Sequence, residues 1–469
     1  MARFEDLPIE ILPLIVDHVL GHGNLASLCL VSRAFHEFTV SRLYRRVAIF
    51  PWNRFSKSRV TQLFRTLSEC PNLSRLVHQL VIRDFPKIQG FDSVGTQAAD
   101  WYTKGLENCV QLQVCAWTRY GSLTSDILKS LGKCHKLTDI TINGEHSWNY
   151  EPVDLLQLFR LSKISLIMPS TPVLDILPRW LQAIRGPLTS LTLVCKACLY
   201  SMHALLESIS PYLSHIQRLH LAGCPRVTHE GIWSTIRNNI ENMKDLSLEY
   251  LSPALASLQW FSLQDMLMLG RTCMNVGGLT SLLSFTLATH PKSLVHSWMN
   301  GTELLLKASP LEIFQIYVPD SAVEGAAADM FCVRIVEQHR DRLSMFSFHP
   351  QRIGLGVIED VCISCLRLEE LFVVIYDAEM VLLIPALAQA KRLRTVHLRF
   401  VDRPLVNGLT YAWDVVHQCG TTISLVGIGA EVWRVEKRAT TVEGVVRLDC
   451  SLIKVDNSDI PERVLVVRM

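Results

Sequence analysis

The sequence is short of charge. Asp, Glu, Lys and Arg make up 19% of its 469 residues, and 46 basic against 44 acidic side chains leave a net charge of +2. So even a balance leaves no electrostatic footprint for nucleic acid or an anionic membrane surface. Long apolar runs are also missing. The most apolar stretch, Leu371 to Ala388, is interrupted by Asp377, Glu379 and Pro385, and does not supply the roughly 20 lipid-facing residues of a membrane-spanning helix. Glu5 and Asp6 come before any apolar run, so the first residues do not read as a secretory leader. The expectation is a cytoplasmic or nuclear chain. Its 14 cysteines lack framework spacing and should remain reduced thiols. Asn72-Leu73-Ser74 and Asn300-Gly301-Thr302 then read as chance matches to the glycosylation pattern.

Catalytic signatures are equally scarce. No phosphate-binding Gly-x-x-x-x-Gly-Lys loop, Gly-x-Ser-x-Gly elbow or His-Glu-x-x-His pair occurs. Gly354-Leu355-Gly356 and Gly427-Ile428-Gly429 are isolated and do not make dinucleotide fingerprints. The pairs Cys195-Lys196-Ala197-Cys198 and Cys362-Ile363-Ser364-Cys365 are far apart, whereas a structural zinc wants two such pairs within about 20 residues. The reading is therefore a protein with no catalytic residues, metal site or cofactor of its own.

What the sequence has is apolar patterning, with 49% hydrophobic residues, enough for a large core. Residues 4–46 carry three helix signals. Asp6 precedes Leu7-Pro8, and proline is tolerated in a first helical turn. Ile11, Leu12, Ile15, Val16, Val19 and Leu20 recur at helical spacing. Gly21 to Asn24 ends that helix, with Asn24 placed to cap the next, Leu25 to Arg33. A third helix carries Phe35, Phe38, Leu43 and Tyr44. A module of about 40 residues without a cysteine staple is marginal alone, so a partner or the following domain should cover part of its apolar surface.

The order Leu7-Pro8-Ile9-Glu10-Ile11-Leu12, Ile15, Leu25, Leu28, Leu30-Val31-Ser32-Arg33 and Phe35, closed by Leu43-Tyr44-Arg45-Arg46-Val47, resembles an F-box, in particular that of fungal F-box proteins with leucine-rich repeats. The Gly21-His22-Gly23-Asn24 loop departs from the shorter charged loop commoner there. The resemblance implies docking to a Skp adaptor, and through it to a cullin scaffold and a RING subunit. It places Leu7, Pro8, Ile11, Ile15, Leu25, Leu28 and Val31 against the adaptor. Without it, the same residues read as a helical hairpin packed on the next domain.

Behind this module the pattern Leu-x-x-Leu-x-Leu recurs. Clear copies include Leu137 to Ile142, Leu161 to Leu166, Leu188 to Leu193, Ile216 to Leu221, Met243 to Leu248, Leu282 to Leu287, Leu311 to Ile316, Leu343 to Phe348, Leu368 to Val373 and Leu393 to Leu398. Val77 to Ile82 and Leu112 to Trp117 are weaker. The spacing of about 24 to 32 residues is close to the leucine-rich repeat period. Amphipathic stretches such as Met202 to Leu213 lie between copies. Each unit should supply one strand and one helix and bury its apolar face only by stacking. The unit Leu219 to Ile232 resembles the cysteine-containing class of these repeats, which puts Cys224 under the loop and makes Thr228 the cap of a helix.

Period-2 geometry turns the middle residue of each Leu-x-Leu away from the core. Those residues are Thr141, Ser165, Thr192, His220, Ser247, Thr286, Gln315, Ser347, Phe372 and His397, a mostly polar row on the expected concave face. His220, Gln315, Phe372 and His397 are the candidate contacts to a protein target, with Phe372 an exposed aromatic anchor; otherwise they are solvated strand positions. An apolar insert, Pro253 to Thr272, reads as an extra packed helix or a partner-binding projection. After Gly429, Val432 to Val435 and Val445 to Leu448 alternate like strands around a turn at Thr441 to Gly444.

The expected architecture is α/β: a three-helix F-box (1–46), linker helices (47–75), an irregular leucine-rich-repeat solenoid (76–430) with parallel strands inside and helices outside, and a terminal cap or tail (431–469). Its expected role is the substrate-recognition subunit of a Skp–cullin–F-box ubiquitin ligase. The alternative is a leucine-rich interaction scaffold acting outside any ligase.

Overall fold

The computed structural model describes residues 9–19, 21–86, 93–146, 149–195, 201–250, 263–288, 296–318, 325–402, 407–442 and 445–455. The chain divides into two compact units, 1–190 and 191–469.

The first unit opens with helices α1 (Leu12–His18), α2 (His22–Leu28) and α3 (Arg33–Arg45). Pro13 sits in the first turn of α1, where its missing N–H costs nothing. Gly21 precedes α2 at φ +89°, a backbone region open to glycine. Asn24 therefore lies inside α2 and does not cap it, which corrects the sequence expectation. Ser32 caps α3, its Oγ accepting the Phe35 N–H at 3.3 Å. Leu12, Val16, Leu25 and Phe35 form a small core, with Ile15, Val19, Leu28 and Phe38 half-buried against it.

Five parallel strands follow in this unit: β1 (Arg46–Ile49), β2 (Gln79–Ile82), β3 (Val114–Trp117), β4 (Asp139–Asn143) and β5 (Lys163–Ile167). β1 lies where linker helices were expected. Val47 and Ile49 alternate across it, and it pairs with β2 before the first of those helices starts at Ser56. The helix-facing pairs Leu80/Ile82, Cys115/Trp117, Ile140/Ile142 and Ile164/Leu166 are almost wholly buried. Each such side chain contributes about 1.5–3 kcal/mol of burial. Phe64, from the helix Ser56–Glu69, lies 5.7 Å from the Trp117 ring, and Phe85 lies 5.0 Å from it.

In the second unit β6 (Ser190–Val194, its first residue ending unit 1), β7 (Arg218–Ala222), β8 (Asp245–Glu249), β9 (Ser284–Ala288), β10 (Ile313–Val318), β11 (Met345–Pro350), β12 (Glu370–Ile375), β13 (Thr395–Phe400) and β14 (Leu425–Ile428) lie side by side in chain order. From β7 to β14 every pairing is parallel. Helices alternate with the strands. Phe331 of Gly325–His339 meets Phe314 of β10 at 6.0 Å, which identifies the helix-facing side of the sheet. The sheet then continues in an antiparallel hairpin, β15 (Glu431–Val442) and β16 (Val445–Lys454), joined to β14.

Cys224 is fully buried, its Sγ 3.4 Å from the Leu193 carbonyl oxygen. Gly223 beside it has φ +60°, and a Cβ there would stand 2.6 Å from the Cys195 carbonyl oxygen, so this turn requires glycine. Thr228 caps the helix His229–Ile236, its Oγ1 accepting the Gly231 N–H at 3.2 Å. The later part of the apolar insert is a helix, Leu263–Asn275, with Met266, Leu269 and Cys273 buried. Trp260 and Phe261 lie outside the described residues. No helix among the described residues is long and apolar enough to cross a membrane.

Candidate protein-binding surfaces

The helical module of unit 1 carries more apolar surface than it can bury. α1 has Leu12, Leu14, Ile15 and Val16 in seven residues, apolar around most of its circumference, so one stripe must stay outside. Leu12 and Val16 take the core, while Ile11 and Leu14 are left 37% and 62% exposed. The turn between α2 and α3 leaves Leu30 88% and Val31 64% exposed. Arg42 holds α3 to α1 through the Asp17 carboxylate and, at 2.6 Å, the Asp17 carbonyl.

Of the residues expected to face an adaptor, Ile11 and Val31 are exposed, and Ile15 and Leu28 lie half-buried against the module's core. Leu25 is corrected: at 6% exposure it belongs to that core, so it supports the surface without forming it. Leu7 and Pro8 lie outside the described residues. Leu14 was missed by sequence reasoning, although its place three residues after Ile11 puts both on one helical stripe. Leu30 belonged to the motif but was not assigned to the adaptor-facing set.

The second surface is the helix-free face of unit 2. Strand register brings the predicted middle residues into one continuous row. His220 pairs with Ser247, Ser247 with Thr286 and Thr286 with Gln315; the row continues through Ser347, Phe372 and His397 to Gly427, which faces Val432 of the hairpin. The two ends of this row differ. At one end, His220 and Gln315 are half-buried. His220 Nε2 stands 2.9 Å from Glu249 Oε1, and the Ser247 hydroxyl donates to the same oxygen at 2.8 Å. Burial acts to raise the Glu249 carboxyl, but His220 and Ser247 outweigh it and hold that group below its ordinary range.

The other end is closed. Ser347, Phe372 and His397 are 0%, 1% and 2% exposed. This overturns the reading of Phe372 as an exposed anchor and of His397 as an open contact. Phe372 joins Met345, Val432 and Val455 in one apolar cluster, and its ring lies 5.9 Å from that of His397. His397 Nε2 is 2.9 Å from the Gly429 carbonyl oxygen. Its ring lies over Gly427, where a Cβ would come within 2.8 Å. On the next row, the His349 and Tyr317 rings meet edge to face at 4.3 Å. Burial, reinforced by His397 and Arg399, pushes the His349 imidazole down to about 3.

The cysteine pairs are placed separately. Cys362 and Cys365 are buried at the end of the helix Leu355–Ser364, and Cys195 Sγ lies 3.3 Å from Cys224 Sγ. Cys198 lies outside the described residues. Among the described residues no three His, Cys, Asp or Glu side chains gather as a metal site would require.

Comparison with protein-family models finds no match. Comparison with curated proteins likewise finds none. Among solved structures, the chain is similar to one in the crystal structure of the Rad7 and Elc1 complex in yeast. That match has a TM-score of 0.46 and 12% identity, covering 85% of this chain and 91% of that one. A TLR13–ssRNA13 complex matches with a TM-score of 0.20 and 14% identity, over 77% of this chain and 55% of that one.

Proposed function

We propose that this chain is the substrate-recognition subunit of a Skp–cullin–F-box ubiquitin ligase, with α1 to α3 docking the Skp adaptor and unit 2 holding a protein target. The observation that carries the reading is the F-box-like order of residues 7–47, together with the apolar residues Ile11, Leu14, Leu30 and Val31 that the same module leaves exposed. Exposed apolar side chains on a small helical module are the kind of surface a partner covers.

The role is one of proximity. A bound target is held near ubiquitin chemistry supplied by the cullin and RING subunits, so transfer proceeds at a high effective concentration. The chain contributes no catalytic group and works in the cytoplasm or nucleus. The target contact belongs at the half-buried row positions His220 and Gln315, with Glu249 beside His220.

The test is binding of purified Skp adaptor to the intact chain and to a Leu30→Asp, Val31→Asp double variant. Both side chains are exposed, so the variant should keep its circular dichroism spectrum. Loss of two central anchors of about 2 kcal/mol each should weaken binding by roughly three orders of magnitude. An intact, folded chain that does not bind the adaptor sinks the reading. Adaptor binding without recovery of a cullin would favour the scaffold alternative.

A further inference from the structure

Unit 1 carries a groove of about 800 Å³ between α1, the end of α3 and the starts of β1 and β2. Its size suits a bound ligand. Pro13 and Asp17 bring α1 to it, one turn apart on a different helical stripe from Ile11 and Leu14. Strand pairing sets its far side. The His78 N–H donates to the Arg45 carbonyl at 3.0 Å, and Arg46 stands opposite Gln79 in the β1–β2 register. Arg45, Arg46 and Gln79 are exposed, and His78 is half-buried.

The groove is basic and short of acid. Asp17 is the one carboxylate among the described residues of its lining, and Arg42 already holds it. Arg45 and Arg46 have no carboxylate partner among the described residues. The dipole of α3 accounts for Arg42 and Arg45 in its last turn, but not for Arg46 and His78, which lie beyond the helix. The rest of the lining is apolar: Phe38 and Leu76 are half-buried and Val16 is buried. Unneutralised cations around apolar side chains call for an occupant that is both anionic and apolar.

The helix end separates two kinds of anion. A compact phosphate is favoured by the N–H groups of a helix N-terminus. Here the helix presents the C-terminus of α3, whose carbonyls repel dense negative charge. Carboxylates spaced along a peptide can instead reach separate guanidinium groups, each in bidentate geometry. Apolar side chains between those carboxylates would cover Phe38 and Leu76.

We propose that this groove binds an acidic segment of a partner protein, with leucine or another large apolar residue between its carboxylates, at a site separate from the adaptor-facing one. The proposal rests on the groove alone and holds whether or not the chain enters a ligase.

The test uses the full chain and a short fluorescein-labelled peptide of alternating glutamate and leucine, followed by fluorescence anisotropy at about 50 mM salt. Arg45→Gln, Arg46→Gln should raise Kd about tenfold or more without changing the circular dichroism spectrum. Arg54→Gln, Arg59→Gln removes the same charge from exposed positions outside the groove and should change Kd by less than about twofold. A peptide with glutamine in place of glutamate should bind about tenfold more weakly or worse. No binding by the folded full chain, equal loss in the two double variants, or equal affinity for the glutamine peptide overturns the proposal. Displacement by inorganic phosphate beyond that caused by chloride at matched ionic strength also overturns it, and makes the groove a phosphate site. If Arg45→Gln, Arg46→Gln loses its fold, a crosslink decides: with Gln79→p-benzoylphenylalanine in the full chain, irradiation should attach the labelled peptide, and its failure to attach overturns the proposal.

Discussion

Replacing His349 with phenylalanine should change how the stability of this protein responds to acid. In the folded chain burial, aided by His397 and Arg399, pushes the imidazole from its ordinary 6.5 down to about 3. Between those values the unfolded chain binds one proton that the folded chain refuses, so stability falls as pH falls through this window. Above about 6.5 the group has no effect, and below about 3 its full cost is reached. The slope is about 1.4 kcal/mol per pH unit, or roughly 2.7 kcal/mol between pH 6.5 and 4.5. His339, pushed down to about 4 by burial, acts in the same sense and is retained in the variant, so the difference isolates His349. Phenylalanine preserves a ring against Tyr317 and removes the titration. Urea unfolding of the parent chain and His349→Phe, at pH 7.5 and pH 4.5, supplies the four stabilities required. The variant should lose about 2.7 kcal/mol less than the parent on acidification. Equal losses in the two proteins would refute the claim that His349 is buried as a neutral ring.

Three further outcomes follow from the same geometry. Phe372→Ala should cost about 3–5 kcal/mol in urea unfolding at neutral pH, because the ring is a core element; a loss below about 0.5 kcal/mol is what an exposed side chain would give. Gly427→Ala should destabilise by about 1–3 kcal/mol through overpacking against the His397 ring, and a shift in the urea midpoint smaller than experimental scatter would show that the ring moves aside freely. Thr228→Ala should lose about 1 kcal/mol, read as faster amide exchange in the first turn of His229–Ile236, with exchange unchanged there counting against the cap.

Much of the strand framework was legible because its cause is local. The Leu-x-x-Leu-x-Leu copies place an inward residue at every second position, so the pairing of Phe314 with Phe285 and Phe346, and the row from His220 to His397, follow from alternation alone. The hairpin after Gly429 and the Thr228 cap were readable for the same reason, since short-range turn and capping chemistry decides them. β1 was missed because its four residues carry too little alternation to outweigh the helix signals on both sides.

What alternation could not decide was which of those positions meet solvent. A middle residue is directed to the helix-free face by its own strand, but its exposure depends on whatever else comes to that face. Phe372 and His397 are closed off by groups distant in sequence: Val432 and Val455 for the ring of Phe372, the Gly427 and Gly429 backbone for the imidazole. Leu25 and Val31 illustrate the same division in the helical module. Helical periodicity marks both as apolar, yet only three-dimensional packing against Leu12, Val16 and Phe35 puts Leu25 inside and leaves Val31 out. Apart from β1, the sequence by itself therefore determined strand repeat and register, which arise from backbone geometry over a few residues; the tertiary structure alone decided burial, because that is a sum over neighbours from the whole unit.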